Sequence, residues 1–277
     1  MVFKRLFYRN QSCSPKTILF VIVMIIAAAC TTSPTGRKQF IVVPEAQMSQ
    51  MGAQAFDQMK ASQPIERDPK TVAYVNCIVG PLGAVVKEQA GVDHWDVVVF
   101  KDDQVNAFAL PGGKVGVYTG IIKVAKTDAQ LSAVIGHEIG HVIAHHGAER
   151  VSQQAGTQLG LAALGAITPD NPKKSLLMGL LGVGLQVGVM LPYSRTQESE
   201  ADVIGLDIMA QAGFDPRQSV ELWQNMIAAA GGGGPPELLS THPASPNRIA
   251  NLQAHMPEAE QKYARAKALG RNPKCTL

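Results

Sequence analysis

Aromatic residues make up only 5% of this 277-residue chain and charged residues 17%, and the formal charge at neutral pH is a modest +3. Each scarcity excludes something. Phosphate recognition needs clustered positive charge and stacking rings; with neither in evidence, no nucleic-acid surface is expected. Few charges beside 46% hydrophobic residues do not fit long disordered tails. No internal repeat is visible, and the length allows one substantial core. Convincing strands are scarce too: "WDVVVF" (Trp95 to Phe100), "VNAFALP" (Val105 to Pro111) and "KVGVYTG" (Lys114 to Gly120), with "PGG" as hairpin chemistry between the last two. The expected fold is mainly α with a small antiparallel β-sheet (α+β).

Charge is unevenly placed. Lys4, Arg5, Arg9 and Lys16 precede the uncharged run "ILFVIVMIIAAA", Ile18 to Ala29. Such a run is short for a bilayer and suits the core of a signal peptide over residues 1–29. Its removal takes four basic and no acidic side chains, so the formal charge falls from +3 to −1. Ala27, Ala28 and Ala29 before Cys30 resemble the cleavage site of a bacterial lipoprotein, whose Cys30 would be lipidated and anchored to the outer membrane. The same three alanines suit an ordinary signal peptidase, and both readings export the chain to the periplasm. Cys13 leaves with the signal; Cys77 and Cys275 then remain as a candidate disulfide or as two thiols. Residues 30–44, with "TTSPTGRKQ" after Cys30, read as a turn-rich polar tether. The body, residues 45–277, opens with helices near Glu45 to Ala61 and Pro69 to Gln89. A second uncharged run, Ser175 to Tyr193, reads as a core helix or one lying against a membrane.

From Thr127 the pattern turns helical, opening on "TDAQ", where Thr127 and Gln130 form a candidate capping box. The stretch "VIGHEIGHVIAHHG" carries four of the seven histidines within apolar residues. His137 and His141 are one helical turn apart and can aim two imidazoles at one ion, with Glu138 beside them as a base. Burying titratable groups in so apolar a helix needs a compensating function. His145 lies about 6 Å further along the axis, too far to share that ion, and His146 points elsewhere. The two positions where a metzincin carries its glycine and third histidine hold Ala144 and Gly147, which excludes that class. In "SRTQESEAD" (Ser194 to Asp202) a capping box, Ser194 with Gln197, opens another helix. Extending backwards the apolar stripe through Ala201, Gly205, Ile208, Met209 and Ala212 meets Glu198 and Asp202, while Glu200 and Asp207 fall on the opposite side. An inward acidic pair needs a positive partner: Glu198 on a metal, and Asp202 holding a ligand imidazole.

"HEIGH", "ESEAD" 57 residues beyond it, "THPASPNRI" (Thr241 to Ile249) and "NAFALPGG" (Asn106 to Gly113) occur in this chain together. In these four motifs it resembles the HtpX-like, Oma-type and Ste-type zinc metallopeptidases, closest to their periplasmic lipoprotein branch. The resemblance implies a gluzincin-type fold with one Zn2+ on His137, His141 and Glu198, Glu138 as general base and Asp202 behind a ligand. It implies polypeptide substrates, envelope proteins that are unfolded or misassembled, pairing with the strand edge at Asn106, Ala107, Phe108 and Ala109. His242 is a further catalytic candidate: it stabilises the oxyanion, caps the zinc in a resting state, or fixes a helix start. Tyr193, Arg195 and Arg248 are possible partners of substrate or carboxylate. The rival from another class is a chaperone-like holding or assembly factor at the outer membrane that cuts only conditionally.

Overall fold

The computed structural model describes residues 30–167, 194–230, 237–242 and 247–277. The expected signal peptide and the run from Ser175 to Tyr193 lie outside them. A hairpin of β1 (Cys30–Thr32) and β2 (Lys38–Phe40) leads to α1 (Glu45–Ser62) and α2 (Pro69–Ala90). The strands β3 (Asp96–Phe100), β4 (Ala107–Leu110) and β5 (Lys114–Tyr118) follow, then α3 (Thr119–Val124), α4 (Asp128–Ile143) and α5 (His146–Ile167). The remaining described elements are α6 (Arg195–Ala212), α7 (Gln218–Ala230), α8 (Glu237–Thr241) and α9 (Asn247–Ala268).

The fold is mainly helical, as expected, and local chemistry sets its boundaries. Asp68 accepts from the Thr71 amide at 2.9 Å and Pro69 presets the first turn of α2, which stops at Gly91 in the left-handed region, φ 60°. Thr127 caps α4 by accepting from the Gln130 amide at 3.1 Å. The return arm of the expected box reaches one residue further back, where Gln130 Oε1 accepts from Lys126 N at 2.9 Å.

Helix α4 is the centre of the molecule. Every residue of it except Asp128 and Val142 is buried, beneath α6, α2, α7 and β4, so it carries apolar residues all round. Leu131, Ile135 and Ile139 are fully enclosed, each contributing about 1.5–3 kcal/mol by leaving water. Helix α6 crosses α4 closely because both are glycine at the crossing. A Cβ on Gly205 would stand 2.7 Å from the His137 amide nitrogen and 2.8 Å from its Cα.

The three-stranded sheet has the order β3-β5-β4, with β4 antiparallel to β5 but β3 parallel to it. It is therefore mixed rather than wholly antiparallel. The chain leaves β3 at Phe100, passes the end of the sheet, lays β4 outside and returns as β5 in the middle. Alternating residues look the same in either orientation. Phe56 of α1 joins Phe100, Phe108 and Tyr118 in an aromatic cluster on this sheet.

Where composition points to a tether, residues 30–40 form a docked strap. Gly36, φ 90°, closes the turn, with Ser33 N bonded to Arg37 O at 2.8 Å. Ser33 and Gln39 are buried. Arg37 forks onto Glu149 at 2.8 and 2.7 Å and reaches Glu200 with Nε at 2.7 Å. Those anchors lie 112 and 163 residues away in sequence, which is why composition is blind to them. At the other end of the chain, Cys77 and Cys275 are joined in a disulfide, and the Cys275 amide donates to Asp128 Oδ2 at 3.1 Å, beside the start of α4.

Candidate active site

His137 and His141, one turn apart on α4, place their rings 4.7 Å apart between centroids, with the two Nε2 atoms at 3.0 Å. Glu198 arrives from the first turn of α6, where the Ser194 and Gln197 capping box holds both arms. Its Oε1 lies 3.5 Å from His141 Nε2 and its Oε2 3.6 Å from His137 Nε2. His242, immediately after α8, completes the group with Nδ1 3.0 Å from Glu198 Oε1 and 3.3 Å from His137 Nε2. One ligand atom from each of the four residues lies within 4.8 Å of the others, and all four are buried.

The donor set fits one divalent ion. Imidazole nitrogens and a carboxylate oxygen are zinc's usual ligands, with three or four of them needed. Glu198 Oε2 and Glu138 Oε1 are buried carboxylate oxygens that accept no aligned hydrogen bond, although Arg248 Nη1 lies 2.7 Å from the first and His242 Nε2 3.3 Å from the second. Acceptors sequestered in this way are unfavourable unless a cation or a donor receives them. For Glu198 the centre of the four-residue cluster is where such a cation would sit.

Around this cluster the remaining polar groups are paired. Asp202 Oδ1 lies 3.0 Å from His137 Nδ1, the geometry by which a carboxylate orients a metal-binding imidazole. Arg248 holds Asp202 with Nε at 2.7 Å and Nη2 at 2.6 Å, and stacks its guanidinium on Trp223, 3.7 Å from the ring centroid. Of its two expected roles, partner of substrate or of carboxylate, Arg248 takes the second; Trp223 had no signal in the sequence beyond its apolar position. Arg195 is exposed, and Tyr193 lies outside the described residues.

Two residues that the spacing argument turns away from the ion are found at the site. His146 is fully buried, its Nδ1 2.8 Å from His141 Nδ1 and its Nε2 3.1 Å from Glu200 Oε2. Helix α4 ends at Ile143, and His145, at φ 52°, turns the chain so that α5 begins with His146 folded back on His141. Glu200 does lie on the opposite side of α6, but the strap covers that side as well.

Asn106 precedes β4, whose Ala107 and Phe108 are buried while Ala109 is partly exposed. β4 pairs with β5 on one side only among the described residues and packs against α4. The Leu238 amide of α8 donates to Val105 O at 3.1 Å, and His242 N to Leu238 O at 2.8 Å, so the backbone that carries His242 hangs from the segment entering β4. Between His137, His242, Val134, Trp223 and Met226 is a cavity of about 20 Å³, room for about one water.

Burial sets the protonation pattern. It raises the Glu138 carboxyl above the usual carboxylate range, against the pull of His242 and His137. It drives His141 well below the usual imidazole value. Burial also opposes ionisation of Glu198, but hydrogen bonds from His141 and His242 outweigh it and hold the carboxyl far below its ordinary value. For Asp202 the charge of Arg248 and the bond from His137 overcome burial in the same sense. His242 is pushed down by burial and up more strongly by Glu138 and Glu198. A neutral His141 facing an ionised Glu198 is the protonation state that metal binding needs.

Residues 69–256 match the sequence model of peptidase family M48. The mitochondrial metalloendopeptidase OMA1 of Schizosaccharomyces pombe is 41% identical over 170 residues, covering 61% of this chain and 48% of that protein. The metalloendopeptidase OMA1 of Bos taurus is 35% identical over 240 residues, 81% of this chain and 45% of its own length. The beta-barrel assembly-enhancing protease of Escherichia coli is 30% identical over 214 residues, covering 75% of this chain and 43% of that protein. The chain spans about half the length of the curated relatives it matches.

Proposed function

The chain belongs to peptidase family M48, and from that premise we propose that it is a zinc-dependent endopeptidase cleaving unfolded or misassembled polypeptides of the bacterial cell envelope. One observation carries the reading: His137, His141 and Glu198 meet from two helices distant in sequence, with Glu138 buried beside them. A zinc ion held by those three would supply Lewis acidity and make a water acidic enough to be deprotonated near neutrality. Glu138, whose raised affinity for a proton suits a general base, takes the proton of the attacking water and passes it to the leaving amine. Asp202 keeps the proton of His137 on Nδ1, leaving Nε2 for the metal.

His242 supports a resting state. Its Nδ1 sits among the ligand atoms and its Nε2 beside Glu138, and the neighbouring cavity, about 20 Å³, has room for about one water and none for a peptide. Displacing α8 would release both His242 and the segment entering β4, next to Asn106, Ala107, Phe108 and Ala109, where an extended substrate would pair. This closed arrangement is also what favours the second reading, a holding factor that cuts only when a suitable client opens it. Export and anchoring through Cys30 to the outer membrane rest on the leader's composition.

The test uses purified, zinc-loaded protein with casein as an unfolded substrate. Wild type should cut, faster after His242→Ala, and Glu138→Gln should keep its zinc while losing cleavage. Turnover by Glu138→Gln would defeat its assignment as the base. If neither wild type nor His242→Ala cuts, the holding reading stands in place of the protease.

A further inference from the structure

The strap at residues 30–40 and the site are joined by a continuous chain of polar contacts that the peptidase mechanism leaves unused. His141 Nε2 faces His137 and Glu198, so metal binding through that atom leaves the neutral ring's proton on Nδ1. The neighbour of Nδ1 is His146 Nδ1 at 2.8 Å, which must then accept. A neutral His146 in turn carries its proton on Nε2, 3.1 Å from Glu200 Oε2. Glu200 is fixed by Thr35 Oγ1, which donates to Oε1, and by Arg37 Nε, which donates to Oε2 at 2.7 Å. Arg37 is clamped on its other side by Glu149, itself held by Gln197 at 2.9 Å, one residue before the ligand Glu198. Gln39 adds a bond from Nε2 to the Ala144 carbonyl at 2.7 Å, beside the turn that redirects the chain from α4 to α5.

We infer that Arg37, Glu200 and His146 are positioning residues for the metal ligand His141, and that the N-terminal strap must be seated for the site to hold its metal tightly. The inference rests on the reading of His141 as a ligand. Its physical content is directional: each donor in the series fixes which nitrogen of the next ring is bare, so the carboxylate of Glu200, two contacts away, sets the orientation and basicity of His141. The strap leads directly out of Cys30, so a pull on the N-terminus would be felt at the metal.

Zinc affinity measured by competition with a chromophoric chelator, with the visible spectrum of the cobalt-substituted protein as a second readout, tests this. Glu200→Gln, which keeps shape and removes charge, should weaken zinc binding by about 10–100-fold and shift the cobalt spectrum. Arg37→Ala, at the strap's partly exposed surface, should do the same more weakly. Lys38→Ala, exposed on the same strap, should change neither. A purely structural role would lower the melting temperature of the metal-free variants and leave affinity and spectrum alone, and that result would overturn the inference. Wild-type zinc affinity in His141→Ala would instead remove the ligand reading on which it rests.

Discussion

The close crossing of α4 and α6 makes Gly205→Ala a sharp probe, because the new methyl would meet the backbone of α4 rather than a side chain able to rotate away. Its nearest atoms would be His137 N at 2.7 Å, His137 Cα at 2.8 Å and Gly136 C at 2.9 Å, where ordinary contact begins at 3.4 Å. Relief requires the helices to part by about 0.7 Å, the difference between 3.4 and 2.7 Å. In a helix interior alanine is otherwise favoured over glycine by about 1 kcal/mol, and overpacking a buried site costs about 1–3 kcal/mol. With all three contacts on rigid backbone the steric effect takes the upper part of that range and wins, for a net loss of about 1–2 kcal/mol and a fall in melting temperature of roughly 2–8 °C. The same displacement moves Glu198 relative to His137, so zinc affinity should fall together with stability. Gly156→Ala on α5, where a Cβ meets nothing within 4 Å, is the control and should be neutral or stabilising. Thermal melts of the metal-free protein and zinc titrations decide it. Melting at or above the wild-type temperature with unchanged zinc affinity would refute the close-packing argument.

Arg248→Met removes a cation that bridges Glu198 and Asp202 while keeping most of its volume. The metal-free protein should lose about 3–5 kcal/mol, and zinc should raise the melting temperature more in the variant than in wild type; equal zinc-induced shifts would contradict this. Cys77→Ser opens a loop closed across 198 residues, for which chain entropy gives about 5 kcal/mol as an upper value. An unchanged urea midpoint would show that the reduced chain is already constrained. For pH, burial raises the Glu200 carboxyl, but hydrogen bonds from His146, Ser33, Thr35 and Arg37 prevail and hold it well below its ordinary value. Its stabilisation is therefore complete above the unfolded value, about 4.3, and disappears as pH falls through the lower folded value. Urea melts at successive pH values below that point should show a steeper loss of stability in wild type than in Arg37→Ala, and parallel losses would rule out the strap as the source.

The core of the site was legible because helical periodicity acts locally. The four-residue step from His137 to His141 and the stripe running back from Ala212 to Glu198 and Asp202 both depend on residues within a few turns. The missing pieces depend on separations that no periodicity encodes. Glu200 was correctly assigned to the far side of α6, yet that side is buried by a strap whose Arg37 is 163 residues away. A straight α4 would turn His146 away from the ion, and the turn at His145 reverses that conclusion. The direction of β3 was hidden because an alternating strand pattern is the same read either way. The position of His242 follows from α8 hanging on Val105, a contact between a short helix and the loop that enters β4.

The bond between Cys77 and Cys275 turns almost the whole described body into a covalent ring that includes both helices carrying His137, His141 and Glu198. A single peptide-bond scission anywhere within that ring leaves the two pieces linked and the apparent mass on a non-reducing gel nearly unaltered. Samples of this protein nicked once by any protease would thus pass as intact until a thiol is added.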